Sequence, residues 1–147
     1  MMPVVVSFPD AGQCVGIDFD WLASDAEGHV AVFSSAGGEI PPDAVLRDMD
    51  AHVRALGALF AAPASTHPVF APTAPGEDRW RAAAERGLFV YRCSPGGGPY
   101  RLAAAPETPI RAMDLPTTAS LVVQALRFGQ LRFRYIHSVT ADVLLSH

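Results

Sequence analysis

The sequence predicts an α+β fold, an antiparallel sheet built from hairpins with two main helices packed on one face. Three observations carry that expectation. Short β-rich runs come in pairs around tight turns, two longer stretches place apolar residues at helical spacing, and helices and strands do not alternate as βαβ units. At 147 residues, half of them hydrophobic, the chain is expected to form a single domain over 1–147 with a substantial core.

Residues 4–8 (VVVSF) read as a short strand ended by Pro9 and Gly12. In 17–24, Ile17, Phe19, Trp21 and Ala23 alternate with Asp18, Asp20, Leu22 and Ser24, the period-two pattern of a half-buried strand whose wet face carries the aspartates. Residues 25–28 (DAEG) make a turn with Gly28 placed for positive φ, and 29–33 pair back to complete a hairpin. After a loop at 34–38, Pro41-Pro42 opens a helix over 43–60, with Val45, Leu46, Met49, Val53, Leu56, Leu59 and Phe60 on its apolar side.

The four prolines of 61–76 predict an extended connection. A short helix over 77–86 closes at Gly87. Residues 88–93 and 100–104 form a second hairpin tipped by SPGGGP. Pro116 starts a helix running to Arg127, with Leu121, Val122, Ala125 and Leu126 inward and Gly129 closing it. Residues 131–136 alternate as a last strand, Leu131, Phe133 and Tyr135 inward.

Net charge is −4, unevenly placed. Residues 1–50 hold nine acids against Arg47 alone, and 51–147 hold six acids against ten arginines. Such asymmetry fits either an acidic face for a charged partner or two halves that complement each other within the fold. Cys14 and Cys93 belong to no CxxC pair, so no disulfide framework is expected. The N-terminus lacks a basic n-region and no apolar run approaches bilayer length, which predicts a cytoplasmic protein without membrane association.

Little chemistry is visible. Asp18 and Asp20 have the strand-then-DxD look of a phosphotransferase, but no later strand ends in the paired acids that such chemistry needs to hold Mg²⁺. Asp18, Asp20, Asp25 and Glu27 offer oxygens to Ca²⁺ at spacings that miss the EF-hand loop, and the five histidines show no HxH or HExxH pattern, so neither metal nor cofactor is expected. The triple glycine 96–98 leads into a strand, not into the helix N-terminus of a phosphate cradle. There is no GxSxG elbow, and Cys93 reads as a small apolar core residue. Arginines interleave with aromatics at 127–135, as in single-strand binders, but the acidic balance argues against nucleic acid.

The run DFDWLASDAEGHVAVFSSAGGEIP (18–41), with RGLFVY (86–91) and PYRLA (99–103), resembles a group of small, mostly uncharacterised bacterial proteins, some of them similar to immunity proteins that neutralise a cognate toxin. The resemblance implies a non-catalytic bacterial protein acting through protein–protein interaction, and carries no catalytic residue over. A partner-facing acidic set of Asp18, Asp20, Asp25, Glu27, Asp48 and Asp50 is expected, fitted to a basic protein toxin by electrostatic steering. The alternative is a small enzyme or ligand binder with its site between the 34–38 loop and the 43–60 helix. Homo-oligomerisation is compatible with either.

Overall fold

The computed structural model describes residues 19–36, 38–70 and 78–145. The strand expected at 4–8, Cys14 and Asp18 lie outside the described residues. The fold is α+β, with strands β1 (Asp20–Asp25), β2 (Val30–Ser34), β3 (Pro68–Phe70), β4 (Phe89–Ser94), β5 (Gly97–Pro106), β6 (Arg127–Phe128) and β7 (Ser138–Val139). The helices are α1 (Asp43–Leu46), α2 (Met49–Ala61), α3 (Asp78–Glu85), α4 (Thr117–Ala125) and α5 (Ala141–Leu145), and 3-10 turns span Ala112–Asp114 and Phe133–Tyr135.

The expected hairpins form: β1 pairs antiparallel with β2, and β4 with β5. The sheet joining them is mixed, which corrects the expectation of a purely antiparallel one. Its order is β3-β5-β4-β2-β1-β6, with β7 on β5, and the β2–β4 and β1–β6 pairs run parallel. The long connection from β2 through α1, α2, β3 and α3 returns the chain to the same end of the sheet, which a parallel neighbour requires.

Among the described residues helices number five, more than the two main ones and one short one expected. Those of eight residues or more, α2, α3 and α4, cover one face, where Ala55, Leu59, Trp80, Ala83, Ala84, Ala119 and Val123 meet Leu22, Val30, Val32 and Val90. The opposite face is not wet. It is covered by Val45, Phe128, Phe133, Val139 and Leu144, so Trp21, Ala23, Ala31 and Phe33 are buried there. All of β2 and all of β1 after Asp20 are therefore buried on both sides, and the two-faced alternation read from 17–24 does not describe this strand. Its aspartate has no water-facing row to occupy.

The second core is aromatic. Trp21 stacks on its cross-strand partner Phe33 at 4.4 Å between ring centroids, and Phe33 on its parallel partner Tyr91 at 5.3 Å. Tyr100, Phe128 and Phe133 meet Phe33 edge-on or tilted, geometries worth about 0.5–1.5 kcal/mol per pair beyond area burial.

Three further expectations are corrected. The 43–60 helix breaks at Arg47-Asp48, where Asp48 leaves helical geometry (φ −149°, ψ 60°), consistent with the preference of Asp for helix starts over helix interiors. The break resets the buried stripe to Met49, His52, Ala55 and Leu59 and leaves Val53 57% exposed. In α4 the buried residues are Ala119, Ser120 and Val123, while Leu121 faces outward at 66% exposure. Residues 131–136 form no strand, because their backbone groups are bonded to side chains and to the β1–β2 turn or turn back on the segment itself, as described in part below. The described part of the proline-rich connection contributes β3, whose Pro68 opens a three-residue edge strand where a missing N–H is tolerated.

Helix α3 ends as its glycine predicts. Gly87 has φ +89°, its N–H bonds Ala84 O at 2.9 Å and the Leu88 N–H bonds Ala83 O at 3.1 Å, the paired bonds of a Schellman cap. A Cβ there would lie 2.8 Å from Ile110. Gly87→Ala is expected to lower stability by about 1–3 kcal/mol, since it adds both strain and a clash. Gly57→Ala, in the exposed interior of α2 with nothing near the new methyl, is expected to raise stability by about 0.5–1 kcal/mol. Urea unfolding of the two variants checks the contrast.

Candidate functional site

The β1–β2 turn (25–29) is the most heavily connected polar feature of the described structure. Asp25 is fully buried. Its Oδ1 accepts the N–H groups of Glu27 and His29, both at 2.9 Å, and its Oδ2 accepts the Phe133 N–H at 2.8 Å. Gly28 at φ +80° closes the turn as the sequence predicts. The outward carbonyls of the turn are taken by the C-terminal half: Arg127 donates to Asp25 O and Ala26 O, Arg111 donates to Glu27 O at 2.7 Å, and the Ala112 N–H bonds Gly28 O. The Ala26 N–H bonds Leu131 O. With Phe133 held by Asp25, and the single Tyr91 hydroxyl proton shared between Phe133 O and Ile136 O, the 131–136 segment has partners other than a strand ladder. Beside the turn lies a cavity of about 460 Å³ lined by Glu27, Arg111, Met113, Gln124 and Arg127 among others.

The expected acidic set divides. Asp18 lies outside the described residues. Asp20, whose side chain is 8% exposed, pairs with Arg79 of α3, and Arg79 also lies 4.4 Å over the Trp80 ring. Glu27 Oε2 pairs with Arg134 at 2.8 Å. Asp25 is spent inside the turn, so its carboxylate has no surface to offer. Asp48 and Asp50 are exposed at the α1–α2 junction, together with Asp43. The structure brings Asp25 and Glu27 together in one turn, and Asp48 and Asp50 at a separate place. Charge complementarity between the halves of the chain is realised in the Asp20–Arg79 and Glu27–Arg134 pairs.

The loop after β2 packs on the second hairpin: Glu39 Oε1 accepts the Gly98 N–H at 3.0 Å. A groove of about 380 Å³ lies instead between α1–α2 and α4, lined by Asp48, His52, Arg54, Thr118, Leu121 and Val122 among others. His52, only 4% exposed, accepts the Leu22 N–H on Nδ1 at 3.0 Å, which fixes the ring proton on Nε2. Burial pushes its pKa down to about 4, against a smaller upward pull from the Asp48 carboxylate.

The nucleophile candidates are quiet. The Cys93 thiol is raised by burial first and by Glu39 second, which keeps it protonated and unreactive. Burial likewise pushes the Tyr91 and Tyr100 hydroxyls up, the Asp25 carboxylate adding to the shift at Tyr91. Among the described residues no helix is long and apolar enough to cross a membrane. Sequence reasoning missed His29, buried beside Asp25 and Glu27, and the two arginines that clamp the turn. The Asp-x-Glu-x-His spacing was the available signal for the first. Nothing local marks Arg111 or Arg127, whose partners are about a hundred positions upstream or nearly so. No family model, curated protein or solved structure matches this chain.

Two outcomes follow from this geometry. Asp25→Ala strands three amides, two of them buried, and is expected to cost about 3 kcal/mol or more in urea unfolding, with Asp25→Asn costing less because one acceptor oxygen survives. For His52, a folded pKa near 4 against 6.5 unfolded means the unfolded state binds a proton first. Stability is therefore full above pH 6.5 and falls as pH drops from about 6.5 to 4, by up to about 3 kcal/mol. His52→Gln should flatten the stability profile in that window.

Proposed function

We propose that this chain is a non-catalytic binding protein that captures a basic protein through its α1–α2 face, as an immunity-type protein would meet its toxin. The observation that carries the reading is the surface beside the groove. Asp43, Asp48 and Asp50 are exposed there, and none of the three has an ion-pair partner among the described residues, unlike Asp20 and Glu27. Val53 and Leu121 are exposed on α2 and α4, the two helices that flank the groove. Apolar residues within a charged rim are the usual anatomy of a protein interface, and a rim that includes Arg47 and Arg54 as well as the aspartates supplies register as well as attraction. Of the acidic set expected on sequence this reading uses Asp48 and Asp50; Asp20 and Glu27 are paired with arginines and Asp25 is bonded within its turn.

The reading predicts that an Asp48→Lys/Asp50→Lys double variant stays folded and loses about 1–3 kcal/mol, the cost of two charges reversed at the start of α2. The same variant should associate about tenfold or more slowly at low salt with a partner captured from the secreted proteins of the source strain, and the difference should shrink as salt rises. Unchanged capture by the double variant, measured by surface plasmon resonance, would remove the α1–α2 face from the interface.

A further inference from the structure

The β1–β2 turn contains two polar atoms that the fold leaves unused. His29 is 6% exposed, and its Nδ1 has no hydrogen-bond partner among the described residues. Glu27 Oε1, the oxygen not taken by Arg134, is also buried and unpartnered. A buried nitrogen or oxygen without a partner is unfavourable unless something besides the chain satisfies it. Both residues converge on Asp25. His29 Nδ1 lies 4.0 Å from Asp25 Oδ2, and one ligand atom from each of Asp25, Glu27 and His29 falls within 4.8 Å of the others.

We propose that Asp25, Glu27 and His29 form a binding site for one divalent transition-metal ion. The donor set is two carboxylates and one imidazole, which suits zinc, manganese or cobalt; calcium and magnesium favour all-oxygen sites. Two carboxylates also match the charge of a divalent ion. Protein ligands sit about 2.0–2.2 Å from zinc, which places them roughly 3–4 Å from one another, so the three side chains need to close by at most about 1–2 Å.

The surroundings favour such a closure. Asp25 is already oriented by three backbone N–H groups, one of them on the oxygen nearest His29. Bonds of that kind aim a carboxylate ligand and hold it in place. The His29 ring also packs beside Phe89, with centroids 6.0 Å apart. The Glu27 side chain is 25% exposed, so the site lies near the surface of the fold. Arg134 on Glu27 Oε2 and Arg111 on the Glu27 carbonyl oppose a cation, so binding depends on both carboxylates being present.

The test is titration of untagged, chelator-stripped protein with zinc by calorimetry, and with cobalt by absorption spectroscopy. The expected result is one ion per chain, with d–d bands for cobalt, a raised thermal midpoint with zinc and no competition from millimolar magnesium. Glu27→Gln, a substitution of nearly equal size that leaves the Asp25 bonds intact, and His29→Gln should each weaken zinc binding by about tenfold or more. Absence of zinc binding at millimolar concentration would overturn the proposal. So would binding of unchanged affinity in both variants, which would place the ion elsewhere on the chain.

Discussion

Burying a carboxylate costs several kcal/mol unless donors surround it, and the protein meets that condition at Asp25 with backbone alone. Two of the three N–H groups are local and shape the β1–β2 turn, while the third belongs to Phe133, 108 positions away. One side chain thus does the work of a turn-former and of a long-range clamp. Arg111 and Arg127 fasten the same turn from outside by taking its carbonyls. The turn is where the first hairpin, the 111–112 segment and the C-terminal segment are joined.

That clamp explains why β1 and β2 have no wet face. With the 127–136 segment tied to the turn, Phe128 and Phe133 lie over Phe33, and Tyr91 seals the arrangement by donating to the carbonyls of Phe133 and Ile136. The helices α2, α3 and α4 take the other side. A strand caught between two such layers reads as continuously buried, and β2 is buried at every position.

Local signals were legible in the sequence and long-range ones were not. Both hairpins, the positive-φ Gly28, the Gly87 cap and the helical segments follow from residues within a few positions of one another. The parallel β2–β4 pairing, the second layer and the irregular 131–136 segment depend on contacts across tens of positions. The alternation around Asp20 misled because leucine and serine at 22 and 24 look as much like a solvent face as like a second core. The outward turn of Leu121 has the same origin: an apolar residue on an α-helix does not state which neighbour it will meet. Of the acidic residues, proximity to Gly28 marked Asp25 and Glu27 as turn-formers, but only the fold shows that Asp25 is buried and that Asp20 and Glu27 have arginine partners from the other half of the chain.

The arrangement separates two jobs that composition alone had merged into one acidic half. Acids of β1 and its turn hold the molecule together, whereas those at the α1–α2 junction remain at the surface. The central claim is the first of these, that Asp25 binds the C-terminal segment to the hairpin as one cooperative unit. Native-state amide hydrogen exchange measures it directly. The account predicts that the Phe133 N–H exchanges as slowly as the amides of β2, at the rate of global unfolding. Fast exchange at Phe133 with β2 still protected would show that the segment opens by itself and that the clamp does not govern the fold.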